Sequence, residues 1–202
     1  MQASLALSRG TLFVGTHAKT ARVQAFDLGG RALAPGFTFR DARRGRSSAS
    51  GLAVDEDRGL WIADTPADRV RLFSVFGREV GGLGEADSPA GAPLLPGLIS
   101  HPVDVAVQGH RDQGRIAIAC GGERRHAVQL FEPDLSFVRS CASLGNPERL
   151  FQGVTRLAVQ GELLYAAEAL ARRVQVFRAG EFLFAFQLTD RQGEPYEPSA
   201  LA

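Results

Sequence analysis

Ser50-Gly51-Leu52-Ala53-Val54-Asp55, Leu60-Trp61-Ile62-Ala63-Asp64, Arg69-Val70-Arg71-Leu72-Phe73 and Arg78-Glu79-Val80-Gly81-Gly82 follow one another within 33 residues, and this stretch decides the fold. Its apolar runs are four to six residues long, too short for helices, and are separated by the turn-forming Asp55-Glu56-Asp57-Arg58-Gly59 and Val75-Phe76-Gly77. Short runs rich in branched and aromatic residues, bounded by Asp, Gly and Arg, are the signature of strands in a meandering antiparallel sheet. The pattern predicts strands over 51–54, 60–63, 69–74 and 78–82.

The same pattern recurs along the chain. The third run returns as Arg22-Val23-Gln24-Ala25-Phe26, Ala127-Val128-Gln129-Leu130-Phe131 and Arg173-Val174-Gln175-Val176-Phe177, which spaces the phenylalanines 47, 58 and 46 residues apart. The first returns as Leu5-Ala6-Leu7, Val105-Ala106-Val107 and Leu157-Ala158-Val159. The second returns as Leu12-Phe13-Val14, Ile116-Ala117-Ile118 and Leu164-Tyr165-Ala166. Self-similarity at such a period marks a repeat architecture. A four-stranded sheet with two apolar faces has to pack against its own kind, so the expected fold is all-β, a β-propeller of about four antiparallel blades. Blades are expected over residues 3–39, 50–84, 101–145 and 152–188 of a single domain, 1–202. In the tail, 189–202, Glu197 to Ala202 reads as the first strand of a further blade. A closed four-blade ring, an incomplete ring completed by a second copy or another chain, and a piece of a longer product all stay open.

The second copy, from Ser50 through Asp64-Thr65 and Asp68-Arg69-Val70 to Phe76-Gly77-Arg78-Glu79, resembles the NHL repeat, and weaker copies extend that resemblance over almost the whole chain. Elsewhere the pattern departs from it: Thr16, Cys120 and Glu168 stand where the second copy has Asp64, and Ala127 stands where it has Arg69. NHL propellers usually carry five or six blades. The resemblance implies the fold; function does not follow from it, because the fold hosts binding modules and enzymes alike.

Composition narrows the classes. The 202 residues are 45% apolar and 22% charged, enough for a sizeable core and unlike a disordered chain. No run approaches the roughly 20 apolar residues of a membrane helix, and the N-terminus lacks the basic and apolar regions of a signal peptide, so a soluble cytoplasmic protein is expected. Cys120 and Cys141 are too few for a disulfide framework and are read as buried thiols. Lys19 is the one lysine among 23 cationic residues, but a net charge of +1 gives no general nucleic-acid footprint.

Candidate sites lie on the propeller face that gathers the blade-to-blade linkers and the second-to-third-strand turns. Its arginines, including Arg40, Arg43, Arg44, Arg46, Arg124, Arg125, Arg149 and Arg172, are nearly balanced by acids on the same loops, among them Asp41, Asp64, Asp68, Glu85, Asp87, Glu123, Glu148 and Glu168. Aromatics for base stacking are nearly missing there, which argues against nucleic acid. His17, His101 and His126 fall on that face and His110 on the opposite one. Their scattered spacing gives no metal set, although a lyase branch of the resembling family holds zinc with imidazoles from several blades. Aligning the first strands puts Asp104 and Arg156 beside the central channel on consecutive blades, where an ion pair or a small-ligand anchor is expected. The tentative binding residues are therefore Asp104, Arg156, His101, Arg124 and His126, with no catalytic set, metal or cofactor. The expected function is a non-catalytic NHL-type scaffold binding a protein or small molecule, with a homo-oligomer completing the ring as one possibility. The alternative is a metal-dependent propeller lyase or hydrolase.

Overall fold

The computed structural model describes residues 3–18, 20–84, 95–109, 114–199 and 201, with backbone alone for His17 and Ala18. Lys19, His110, Glu85, Asp87, Ala200 and most of the linker before the third repeat lie outside the described residues. The strands are β1 (Ala3–Ser8), β2 (Thr11–Ala18), β3 (Ala21–Asp27), β4 (Phe37–Phe39), β5 (Ser47–Ser48), β6 (Gly51–Asp55), β7 (Gly59–Asp64), β8 (Arg69–Phe73) and β9 (Glu79–Leu83). They continue with β10 (Pro102–Gln108), β11 (Arg115–Cys120), β12 (Glu123–Arg124), β13 (Val128–Phe131), β14 (Phe137–Ser140), β15 (Phe151–Gln152), β16 (Val154–Gln160), β17 (Leu163–Glu168), β18 (Arg173–Arg178) and β19 (Glu181–Gln187). Four large sheets result among the described residues, in the orders β1-β2-β3-β4, β6-β7-β8-β9, β10-β11-β13-β14 and β16-β17-β18-β19, with β5 paired to β2 and β12 and β15 forming a separate two-stranded sheet. These are the four expected antiparallel blades. No helix among the described residues is long and apolar enough to cross a membrane.

The chain divides into two compact units, the first holding residues 1–89 and 99–105 and the second residues 90–98 and 106–202. In the first unit each sheet has two distinct faces, because residues alternate along every strand. One face carries the phenylalanine of the repeated third-strand motif and the other carries its valine; we call them the Phe face and the Val face. The Phe face of the second sheet, with Leu52, Leu60, Ile62 and Phe73, packs on the Val face of the first, with Phe13, Ala21, Val23 and Phe39. Phe73 lies 5.2 Å from Phe37 and 5.0 Å from Phe39, ring centre to ring centre, so aromatic rings fill the outer end of the wedge. The β6–β7 hairpin turns at Gly59, whose φ of +129° and close approach to the Phe73 carbonyl leave no room for a side chain.

In the second unit Leu157, Leu164 and Phe177 line the Phe face of the last sheet and are buried. Phe177 stacks near Phe151 and meets Phe182 edge-on. Gly180, in the β18–β19 turn, sits directly against Arg139 and Leu130 of the third sheet. Cys120 and Cys141 are buried thiols outside any disulfide, and burial pushes the Cys141 thiol up to about 12. Past the last sheet, Thr189 and Pro195 form an isolated bridge, and residues 196–199 lie outside any strand.

Candidate functional site

Inside each third-strand motif, between its valine and phenylalanine, stands one polar residue: Gln24, Arg71, Gln129 or Gln175. Arg71, Gln129 and Gln175 are buried, and each grips the connection that enters its blade from the one before. Gln129 Oε1 accepts the Gly97 amide at 2.6 Å while its Nε2 donates to the Leu98 carbonyl at 2.8 Å. Gln175 Oε1 accepts the Leu144 amide at 2.6 Å, and its Nε2 donates to Ser143 Oγ at 3.0 Å and to Glu168 Oε2 at 2.6 Å. Arg71 does the same with charge, its Nη2 donating to Asp41 Oδ2 at 3.2 Å and its Nη1 to Glu79 Oε2 at 3.2 Å. The guanidinium also stands 5.7 Å from the centre of the Phe39 ring. Gln24 instead holds its own β3–β4 loop, through Gly36 and Ala34.

A buried carboxylate at the end of the second strand completes the latch. Asp64 Oδ1 accepts the amide of Ser48, 16 residues earlier, at 2.9 Å, and Glu168 Oε1 accepts the amide of Gln152, again 16 residues earlier, at 2.6 Å. Glu168 therefore performs the task of Asp64, and its place in the sequence is a substitution with the role kept. Asp64 faces Arg71, whose Nε is 3.2 Å from Oδ2 as an ion-pair contact outside hydrogen-bond geometry, and it does not pair with Arg69. Glu168 pairs with Arg173, at 2.5 Å. Burial raises the pKa of Asp64 above the ordinary carboxylate range. Burial also works against ionisation of Asp41, but the amides of Arg44 and Arg43 and the charge of Arg71 outweigh it and hold that carboxyl below its usual value.

These bonds change the charge balance read from the loops. Asp41 spends one oxygen on the Arg43 and Arg44 amides, at 3.0 and 2.7 Å, and the other on Arg71. Asp64 is wholly buried. Asp68 takes the His101 amide at 2.6 Å and the Arg44 guanidinium at 2.9 Å. Among the described acids of these loops in the first unit, Asp41, Asp64 and Asp68 are thus engaged by the fold, while Arg40, Arg43 and Arg46 stand exposed on the loop above them. That loop is held in shape. Arg40 Nε donates to the Gly45 carbonyl at 2.6 Å, Gly45 N to the Asp41 carbonyl at 2.9 Å, and Asp41 N to Ser47 Oγ at 2.8 Å. Beneath it a hydroxyl chain runs from Ser48 through Ser50 to Thr65, which ends on the Pro102 carbonyl. In the second unit the surface pairing is retained, Arg125 meeting Glu148 at 3.1 Å.

Of the five sequence-predicted residues, two belong to the first unit and three to the second. His101 lies in the first unit, exposed and with a φ of +52°, its amide tied to Asp68 beside the arginine loop. Asp104 lies in the same unit on β10, buried, accepting the Val105 amide at 3.0 Å and packed so tightly on Gly51 that a side chain at residue 51 has no space. Arg156, Arg124 and His126 belong to the second unit. Arg156 is half-buried and donates to the Thr155 carbonyl at 2.7 Å; Arg124 pairs with Phe151 through β12 and β15; His126 is half-buried in the β11–β13 turn. Among the described residues no three of His, Cys, Asp and Glu converge as metal ligation requires.

Each unit also has a cleft at the hairpin-turn end of its sheets. The first, of about 360 Å³, lies among Ser8, Arg9, Glu56, Arg58, Val75 and Phe76. Its Glu56 already accepts from Ser8 at 2.9 Å and from Arg9 at 2.5 Å. The second, of about 380 Å³, is lined by Arg115, Arg178 and Glu162.

No protein-family model and no curated protein matches this sequence. Solved structures do resemble it in fold. Hydrazine synthase of Kuenenia stuttgartiensis superposes with a TM-score of 0.63 at 14% identity, over 90% of this chain and 47% of its own, so this chain spans about half that length. A Bacteroides caccae protein of unknown function gives 0.61 at 13% identity, over 88% and 63%. Virginiamycin B lyase from Staphylococcus aureus gives 0.59 at 10% identity, over 96% and 72%. With the four antiparallel sheets, these likenesses make the fold a β-propeller. At such identity they show the fold alone.

Proposed function

We propose that this chain is a non-catalytic propeller scaffold of the NHL type, and that its Arg40–Arg46 loop docks an acidic protein segment. One observation carries the reading: Asp41, Asp64 and Asp68 are engaged by Arg71, Arg44 and backbone amides, and Arg40 and Arg46 beside them are exposed above a loop fixed from below. A preorganised cationic loop loses little conformational freedom when it binds, which favours recognition by a rigid scaffold. No aromatic side chain stands among residues 40–46, so the loop offers arginines and no platform for stacked bases. His101, through its amide on Asp68, helps brace this surface.

The test is a titration of labelled poly-glutamate peptide and of a single-stranded oligonucleotide, each at low and physiological salt. Replacing Arg40, Arg43 and Arg46 together by alanine is expected to weaken peptide binding about tenfold, as about 1.4 kcal/mol distributed over three exposed charges would do. Tighter binding of the oligonucleotide, or peptide binding untouched by the triple substitution, would overturn the reading. The rival, a metal-dependent propeller lyase or hydrolase, predicts stoichiometric metal in the dialysed protein, and metal analysis separates the two.

A further inference from the structure

The cleft of about 360 Å³ in the first unit lies at the opposite end of the sheets from the arginine loop. Phe13 of the first sheet and Val54 of the second line it, together with Val75 and Phe76 of the β8–β9 turn. Val75 is 51% exposed and Phe76 92%, the highest exposure of any large apolar residue among those described. The turn itself does not call for them, because glycine and small polar residues are the usual occupants of such positions. Its shape is fixed by the backbone: Gly77 N donates to the Ser74 carbonyl at 2.9 Å and Ser74 N to the Arg78 carbonyl at 2.8 Å. Gly77, with a φ of +84°, sits directly against Phe37. A rigid turn therefore holds Phe76 almost wholly in water at the edge of a cleft with an apolar floor.

The rim of the same cleft carries Arg9 and Arg58 against Asp55, Glu56 and Asp57, one negative charge in excess. Both arginines are engaged, Arg9 Nη2 meeting Glu56 Oε2 at 2.5 Å and Arg58 Nη1 lying 3.9 Å from Asp55 Oδ2. The other Glu56 oxygen accepts from Ser8 Oγ at 2.9 Å. Asp55 is further occupied by Trp61 Nε1 at 3.4 Å and by the amides of Asp57 and Arg58 at 3.1 and 3.2 Å. Asp57 is exposed, and its carboxylate forms no ion pair with a described residue. The excess charge thus resides on Asp57, in the same cleft as the exposed Phe76 ring.

We infer that this cleft binds a compact ligand that joins an apolar ring to a single ammonium group. Small-molecule sites combine an apolar lining with a few polar groups that fix orientation, in volumes from roughly 300 Å³ upward. Here Phe13, Val54 and Val75 receive the ring. The ammonium group is answered by the Asp57 carboxylate and by the π-face of Phe76, which attracts a cation. An anionic ligand meets the excess of carboxylates, and a neutral one leaves Asp57 unanswered.

The test uses three probes of similar shape and different charge, namely phenethylamine, phenethyl alcohol and phenylacetate, each titrated against the full chain by NMR. Saturable shifts are expected at the Gly59, Val75 and Phe76 amides, with a dissociation constant for the amine that is roughly millimolar, as suits a ligand of this size. The alcohol is expected to bind about threefold more weakly, and phenylacetate more weakly still. Phe76→Ser is expected to weaken the amine about tenfold. Asp57→Asn is expected to bring the amine level with the alcohol while leaving the alcohol unchanged. Both positions are exposed, so both variants are expected to keep the wild-type Trp61 emission. Equal affinity for amine and alcohol in the wild type overturns the inference, since the cleft is then a greasy surface without charge selection. So does a preference for phenylacetate, an absence of saturable shifts up to roughly tens of millimolar, or amine binding untouched by either substitution.

Discussion

Arg71 sits where the other three blades have glutamine, and its charge is what makes it indispensable. Its side chain is 5% exposed and faces Asp41, Asp64 and Glu79. Removing one partner of a buried ionic group leaves uncompensated charge at a cost of about 3–5 kcal/mol. Arg71→Gln is therefore expected to lower the unfolding free energy measured in urea by that amount, although glutamine serves the same position elsewhere in the chain. The pH dependence has a definite sign. Asp41 has its pKa below the ordinary 3.8, so its contribution is present above that value and is lost as pH falls through the lower, folded value. Asp64 has its pKa raised, so its ionisation weakens the fold as pH rises through the folded value. Asp41→Asn is accordingly expected to destabilise at pH 7, with the gap to wild type closing below about pH 4; a constant gap from pH 7 to pH 3 would contradict the assignment.

At the level of strands and linkers, the repeated motif does two jobs, and only one was legible in the sequence. Valine and phenylalanine announced the strands: those expected at 51–54, 60–63, 69–74 and 78–82 are found at 51–55, 59–64, 69–73 and 79–83. The polar residue between them carried a signal too, since a glutamine inside a buried strand needs partners. Those partners sit on linkers some 30 residues away, which no local pattern reveals. The two-residue strands β5, β12 and β15 were likewise invisible, being too short for any periodicity. Counting charges along the loops likewise does not show that Asp41 and Asp64 point inward, because their partners are brought together only by the fold. The latch makes its own prediction. Gln129→Leu leaves the Gly97 amide and Leu98 carbonyl without this partner, at about 1–3 kcal/mol, and the Gly97 amide is expected to exchange its hydrogen faster while Gly145 is unaffected. Equal exchange at Gly97 in variant and wild type would show that Gln129 is no latch.

For the whole molecule, repetition implies that stability is distributed blade by blade, as a sum of sheet terms and neighbour terms. The chain carries its own reporters for this. Trp61, its one tryptophan, is buried in the second sheet of the first unit, while Cys120 and Cys141, its two cysteines, are buried in the second unit. Thiol labelling at pH 8 is expected to be negligible in the folded protein, because both sulfurs are inaccessible and Cys141 is held as the thiol. In a urea titration, Trp61 emission then follows the first unit and thiol labelling the second. Arg71→Gln, which breaks the latch of the first unit, is expected to shift the Trp61 midpoint more than the labelling midpoint. Gln175→Leu, which breaks the latch on Ser143 and Leu144, is expected to do the reverse. Were both substitutions to move both midpoints equally, the chain would unfold as a single cooperative body, and the assignment of one core to each unit would be wrong as a description of its energetics.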